Sequence, residues 1–282
     1  MICAWQSFLN ILPLWLRQEV DKLGKDNLEE LRLRLNSPPL LKLNNGVKEV
    51  YRNITPQDLH FCINAASHYS PWTATTAAKG YITAPGGHRI GVCGNAAGAD
   101  GSLTHMGGLT SLCIRIARDF PGVADNINTG DSSVLIIGKP GSGKTTLLRD
   151  VIRKQGHNPV KSIAVVDERE EIFPRVNGNF CFSIGRNTDV LSACSKVSGI
   201  DTVLRTMGPD TIAIDEITAQ EDCQALMRAG WCGVKLLATA HAGSREDLFR
   251  RPVYRPIIES GLFDTLLILD EDKSWHTERL NT

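Results

Sequence analysis

The 282-residue sequence has no surplus charge: 31 Lys and Arg balance 31 Asp and Glu. No global field therefore recruits nucleic acid or anionic lipid, although a local basic patch stays open. None of the eight cysteines (Cys3, Cys62, Cys93, Cys113, Cys181, Cys194, Cys223, Cys232) sits in a C-x-x-C pair or near a histidine at zinc-finger spacing. They read as reduced, mostly buried thiols of a cytosolic protein. Internal repeats and low-complexity tracts are missing, and past the N-terminus no apolar run approaches membrane-spanning length. The N-terminal stretch itself lacks a positive leader and is broken by Gln6, Asn10 and Pro13. Its Phe8, Leu9, Leu12, Trp15 and Leu16 recur at helical spacing, so the reading is an amphipathic helix that packs on a core or docks on a membrane or partner.

What is present is the composition of an ordinary soluble globular protein, 42% hydrophobic and 22% charged, long enough for two modest domains or one large one. The pattern changes near residue 120. Before it come strand-like runs at 28–35 and 111–118, a helix starting at Thr55 with Pro56 and Asp58 in its first turn, and the glycine-rich APGGHRIGVCGNAAGADG. These predict a small α+β domain over 1–120. Residues 121–131, rich in Pro, Gly, Asn and Asp, read as a linker. From 132 to 282 the apolar runs SVLIIG, SIAVVD, TIAIDE, VKLLATAH and DTLLILD alternate with helical patterns after 143, 196, 218 and 244. Continuous apolar strands between helices predict an α/β domain with a mostly parallel sheet.

The segment GKPGSGKTT follows the first of these strands and opens a helix. Gly138, Gly143, Lys144 and Thr145 satisfy G-x-x-x-x-G-K-[ST], and Lys139, Pro140, Gly141, Ser142 and Thr146 complete the loop. Glycines let backbone N–H groups turn inward around a phosphate, and the helix adds its positive end. ATP with Mg²⁺ is the ligand expected: Lys144 on the β- and γ-phosphates, the Thr145 hydroxyl on the metal. A Walker B acid should end a neighbouring strand, and TIAIDE supplies Asp215 for the Mg²⁺ shell and Glu216 to orient or deprotonate water. Any acidic pair before a helix is also explained by capping; coupled to the P-loop, the Walker B reading leads.

A guanine-reading N-K-x-D segment and an LSGGQ-like signature are both absent, which sets aside GTPases and transporter ATPases. Two polar strand ends stand out. SIAVVDEREEI carries Asp167, Glu168, Arg169, Glu170 and Glu171, and LLATAHAGS carries Thr239 and His241. Ligands of open parallel sheets sit at such carboxyl ends. A solvated turn and a structural histidine are the plainer alternatives for these two.

Taken together, the P-loop, VVDEREEI, RNTDVLSACSKVSGIDTVLRTMGPDTIAIDEI and ATAHA, with EELRLRLNSPP, GGHRIGVCG and SLCIRIARD before them, resemble the stage III sporulation protein AA family. The resemblance covers roughly residues 28–270 and extends to the type II and type IV secretion ATPases. It implies a RecA-like ATPase that forms a hexameric ring at the cytoplasmic face of a membrane channel, on the mother-cell side, with other stage III sporulation channel proteins as partners; the zero net charge, separately, argues against nucleic acid. Lys144 and Thr145 then match the phosphate and Mg²⁺ positions, Asp167 and Glu168 the acidic box, Glu216 the Walker B glutamate and His241 the histidine box. Asp215 stands where many secretion ATPases carry glycine, so water activation could be divided differently between Glu216 and the acidic box. The sequence leaves open which of Asp167 and Glu168 faces the nucleotide. In the related ring ATPases arginines from outside the P-loop approach the γ-phosphate; Arg89, supported by Arg115 or Arg118, is the candidate here, against a plain hairpin reading of GGHRIGVCG. Three functions stay in view: a ring-forming motor or assembly ATPase, a nucleic-acid-dependent ATPase of the same architecture, and a nucleotide-gated scaffold with negligible turnover.

Overall fold

The computed structural model describes residues 1–67, 80–97 and 105–280; the end of the glycine-rich stretch read above, 98–101, lies outside them. Two compact units form, one from Met1–Asp119 with Pro174–Cys181, the other from Phe120–Phe173 with the chain from Phe182 onward.

In the first unit, the expected N-terminal helix is two, α1 (Trp5–Asn10) and α2 (Leu14–Asp21). Pro13 separates them because it has no N–H to give and its ring blocks the preceding turn. Phe8, Leu9, Leu12 and Leu16 are all buried in this unit's core, so the stretch packs inward. The sheet joins β1 (Leu28–Arg34), β2 (Leu40–Leu43), β3 (Gly46–Glu49), β4 (Tyr81–Ala84), β5 (His88–Ala97) and β6 (His105–Arg115) in the order β3-β2-β1-β6-β5-β4, antiparallel throughout. Helix α3 (Pro56–Ser67) starts where Thr55 and Asp58 cap it reciprocally: Asp58 Oδ2 accepts the Thr55 N–H at 2.9 Å, and Thr55 Oγ1 accepts the Asp58 N–H at 3.2 Å. Gly86 and Gly87, at φ +85° and +81°, make the turn from β4 to β5. A Cβ at Gly87 would lie 2.7 Å from Pro174 Cγ, so the turn needs glycine for backbone conformation and for space. The short hairpin β9 (Arg175–Val176) and β10 (Asn179–Phe180) belongs to this unit, with β9 against β4.

The second unit is built on β7 (Val134–Gly138), β8 (Ile163–Asp167), β11 (Thr188–Ser192), β12 (Thr211–Ile214), β13 (Lys235–His241), β14 (Thr265–Leu269) and β15 (Trp275–Arg279). Their order is β11-β8-β12-β13-β7-β14-β15, parallel except that β15 runs antiparallel to β14. Helices α4 (Lys144–Gln155), α5 (Lys196–Thr206), α6 (Gln220–Trp231), α7 (Arg245–Arg250) and α8 (Arg255–Glu259) connect them. The turn-rich stretch expected as a linker is fastened to α4: the N–H groups of Gly122 and Ala124 donate to Asp150 Oδ2 at 3.0 and 2.7 Å, and Lys154 Nζ donates to the Asp125 carbonyl at 2.6 Å. The cysteines are free thiols, but only Cys62 and Cys223 are buried. Cys93 and Cys232 are exposed, contrary to the mostly buried reading, because one lies on a strand's open face and the other caps a helix end. Among the described residues no helix is long and apolar enough to cross a membrane.

Candidate nucleotide site

Parallel register brings the chemistry together at one edge of the second sheet. His241 pairs with Gly138, Ile214 with Ala238 and Val166, and Ser192 with Asp167, so the residues that follow each strand emerge side by side. Gly138 ends β7 with no room for a side chain: a Cβ would lie 2.5 Å from Ser142 Oγ and 3.0 Å from the Leu269 carbonyl. Gly141 and Gly143 take φ +79° and +104°, left-handed values that turn the loop back on itself. Gly143 is also the N-cap of α4 and offers no capping side chain, which leaves the helix's first N–H groups for an anion. Ser142 Oγ is buried without a hydrogen-bond partner. Lys139, Pro140 and Gly141 are exposed, Thr146 is half-buried, and Lys139 Nζ meets Glu271 Oε1 at 2.5 Å.

The Lys144 ammonium is buried and points into its own loop, donating to the carbonyls of Gly138 at 2.9 Å and Lys139 at 3.0 Å. Burial lowers its pKa, and the Glu216 and Asp215 carboxylates pull it back up. Nζ also lies 2.9 Å from His241 Nδ1, and His241 Nε2 lies 3.0 Å from Glu216 Oε1. An ammonium has only donors, so Nδ1 accepts and Nε2–H donates to the glutamate. Lys144, His241 and Glu216 thus form one hydrogen-bonded chain. The main chain of His241 is fixed separately, its N–H donating to the hydroxyl of buried Tyr254 at 3.1 Å.

Asp215 is held from both sides. Thr145 Oγ1 donates to its Oδ2 at 3.0 Å and Thr239 Oγ1 to its Oδ1 at 2.9 Å. Glu216 follows at φ +27°, a strained value for a non-glycine residue. Its N–H is shared between Asp215 Oδ1 at 3.0 Å and Thr239 Oγ1 at 2.9 Å, which keeps the strained turn in place. Thr145 and Asp215 suit a cation that takes few protein ligands and keeps phosphates and water, as Mg²⁺ does. Among the described residues no group of three or more His, Cys, Asp or Glu is placed to hold a metal alone.

The acidic box divides in two. Asp167 is buried, and its carboxylate accepts the N–H groups of Glu171 (2.8 Å), Ile172 (3.0 Å) and Phe173 (2.8 Å). Burial pushes its pKa up to about 6, against the pull of the Phe173 and Ile172 amides. Its oxygens are spent on shaping the loop. Glu168 is half-exposed in a cleft that Lys196, Asp215, Glu216 and Thr218 also line. Arg89 belongs to the first unit. Its guanidinium lies over the Tyr81 ring at 5.0 Å, and its strand partner is Arg115. Arg115 Nε donates to Glu30 Oε2 at 3.2 Å, while Arg118 holds the carbonyls of Lys25 and Leu28. Thr239 was expected beside the site but without a role, and Tyr254 and Lys196 were not expected there at all. Lys196 alone carried a signal, a cation in a helix's first turn, where the dipole disfavours it.

The family model described as "Sporulation stage III, protein AA" matches residues 5–279. "Stage III sporulation protein AA" of Bacillus subtilis (strain 168) is 36% identical over 258 residues, covering 87% of this chain and 83% of that protein. "Protein SEEDLING PLASTID DEVELOPMENT 1" of Arabidopsis thaliana is 27% identical over 271 residues, which are 94% of this chain and 37% of that protein. Among solved structures, the Legionella pneumophila ATPase DotB aligns over 95% of this chain and 80% of its own, with a TM-score of 0.58 and 15% identity. The pilus retraction motor PilT with bound ADP aligns over 100% and 84%, with a TM-score of 0.61 and 13% identity. The fold is therefore that of the RecA-like secretion ATPases. With the match running through both units and every motif described above, the chain belongs to the sporulation stage III, protein AA family.

Proposed function

We propose that this chain is an ATPase that works as a hexameric ring, powering or assembling a membrane channel during sporulation from the cytoplasmic, mother-cell side, with other stage III sporulation channel proteins as partners. The observation that carries the reading is the hydrogen-bonded chain Lys144–His241–Glu216 beside the Thr145–Asp215 pair, at the mouth of a loop whose glycines have no room or no conformation for side chains. The orphaned Ser142 Oγ and the uncapped start of α4 fit a polyphosphate.

In this reading Lys144 exchanges the loop carbonyls and His241 for phosphate oxygens, and Thr145 with Asp215 would hold Mg²⁺, which would supply charge to offset that of the phosphates. Glu216 aligns and deprotonates water, His241 ties that carboxylate to the phosphate-sensing lysine, and Asp167 positions the loop that presents Glu168. Removing the lysine and removing the base should then act differently. Lys144→Ala is expected to lose ATP binding and hydrolysis together while keeping the fold. Glu216→Gln is expected to bind ATP and lose turnover by roughly 10²- to 10⁴-fold. Equilibrium binding of a fluorescent ATP analogue and phosphate release measure the two. Equal affinity in Lys144→Ala and parent refutes the assignment; turnover that survives Glu216→Gln and falls with Glu168→Gln moves the base to the acidic box.

A further inference from the structure

Lys196 opens α5 directly after its Ser195 N-cap, and only 8% of it is exposed. A buried ammonium at the positive end of a helix is doubly unfavourable unless acidic groups meet it. They do. Lys196 Nζ lies 3.1 Å from Glu168 Oε2 and 3.5 Å from Asp222 Oδ2, and donates to Thr218 Oγ1 at 3.2 Å. These partners come from two different segments. Glu168 follows Asp167 at the end of β8, whereas Thr218 and Asp222 follow Glu216 and start α6.

The two ends of this bridge differ in stiffness. Asp222 Oδ2 also accepts the N–H groups of Thr218 at 2.9 Å and Ala219 at 3.2 Å, so it is locked into the helix start. Glu168 is half-exposed and stands on the loop that Asp167 shapes. The carboxylates of Asp167, Glu168, Glu171, Asp215 and Glu216 line one cleft with two cations, buried Lys196 and exposed Arg169. Without the buried ammonium the carboxylates would repel, and Glu168, whose side chain is 36% exposed against 9% for Asp222, would swing outward.

We propose that Lys196 is a positioning residue for ATP hydrolysis: anchored on the Asp222 side, its ammonium holds the Glu168 carboxylate in the cleft beside Glu216. This rests on the ATPase reading above. Losing the ammonium leaves the phosphate loop intact, so chemistry suffers and binding does not.

The test uses the full-length chain. Lys196→Met keeps the apolar stem and removes the charge. With Mg²⁺ and ATP saturating, its kcat is expected to fall by roughly 10²-fold, the size of effect that a misplacement of about 1 Å produces. Affinity for a fluorescent ATP analogue should stay within about two-fold of the parent's, the thermal melt should stay cooperative, and Lys196→Arg should restore most of the turnover. Adding Glu168→Gln to Lys196→Met should cost less than it does in the parent, because the carboxylate is already misplaced. Parental kcat in Lys196→Met overturns the proposal, as does loss of affinity in step with turnover, or full additivity of the two substitutions. Should Lys196→Met lose its cooperative melt, Glu168→Gln alone decides: parental turnover there overturns the proposal as well. A parent that binds ATP without hydrolysing it removes the ATPase reading and this role together, whereas an active parent with an active Lys196→Met variant removes this role only.

Discussion

His88 is fully buried, and each ring nitrogen has a backbone partner: Nε2 lies 3.0 Å from the Ala4 carbonyl, and Nδ1 accepts the Ala117 N–H at 3.1 Å. The two bonds need one neutral tautomer and tie the N-terminus to the end of β6. Burial pushes the His88 pKa down to about 4, opposed by the Ala4 bond. Because the folded value lies below the ordinary histidine value near 6.5, the contribution of His88 to stability is complete above about pH 6.5 and is lost as pH falls toward 4. The loss amounts to about 3 kcal/mol. Urea unfolding followed across that window should show it, and His88→Gln should be weaker at neutral pH while losing the slope. An NMR titration of the ring with a midpoint near 6.5 would refute this. At this scale the sequence was legible where a motif fixes spacing: Lys144, Thr145, Asp215, Glu216 and His241 lie within hydrogen-bonding reach of one another in sequence-readable motifs. His88, Lys196 and Tyr254 escaped because their partners lie far away in sequence or across strands, and no local pattern announces such a pairing.

Helix α5 reaches β8 through Gly199. A Cβ there would lie 2.4 Å from Val166 Cγ1 and 2.9 Å from Cys194 Sγ. Gly199→Ala should therefore destabilise the second unit by about 1–3 kcal/mol through overpacking, less the gain of about 1 kcal/mol in helix propensity. A lower urea midpoint is the expected reading, and a midpoint equal to or above the parent's contradicts it. In the second unit the strands read from sequence were the buried ones, β7, β8, β12, β13 and β14, because an unbroken apolar run has few alternatives in an α/β chain. The edges were not legible. TDVLS of β11 and WHTER of β15 are mostly polar and partly exposed, and their pairing depends on neighbours already in place. The N-terminal helix was seen as one because periodicity passes through Pro13 and hydrogen bonding does not.

For the whole molecule, the hexamer and a catalytic role for Arg89 stand as proposals. If Arg89 serves a neighbouring subunit's phosphate site, Lys144→Ala and Arg89→Ala proteins should each be inactive, and mixing them should recover part of the ATPase rate, since each supplies the half-site that the other lacks. A guanidinium placed this way is worth roughly 10³- to 10⁵-fold in rate. Arg89→Ala turning over at the parental rate under ring-forming conditions would leave Arg89 to its place over Tyr81. Nothing in the composition of residues 174–181 announces that they return to the first unit; two strands of two residues each carry no periodicity to read.

That return has a consequence for how the chain is made. Translation delivers Met1–Asp119 first, yet the glycine turn of that unit is completed by Pro174, which is added only after the P-loop, α4 and β8 have been synthesised. The N-terminal unit is thus first to leave the ribosome, yet it cannot finish before part of the second unit has been made. Its last pieces arrive while the second sheet still lacks β11, β12, β13, β14 and β15, so the order of synthesis obliges the two units to mature as overlapping events rather than one after the other.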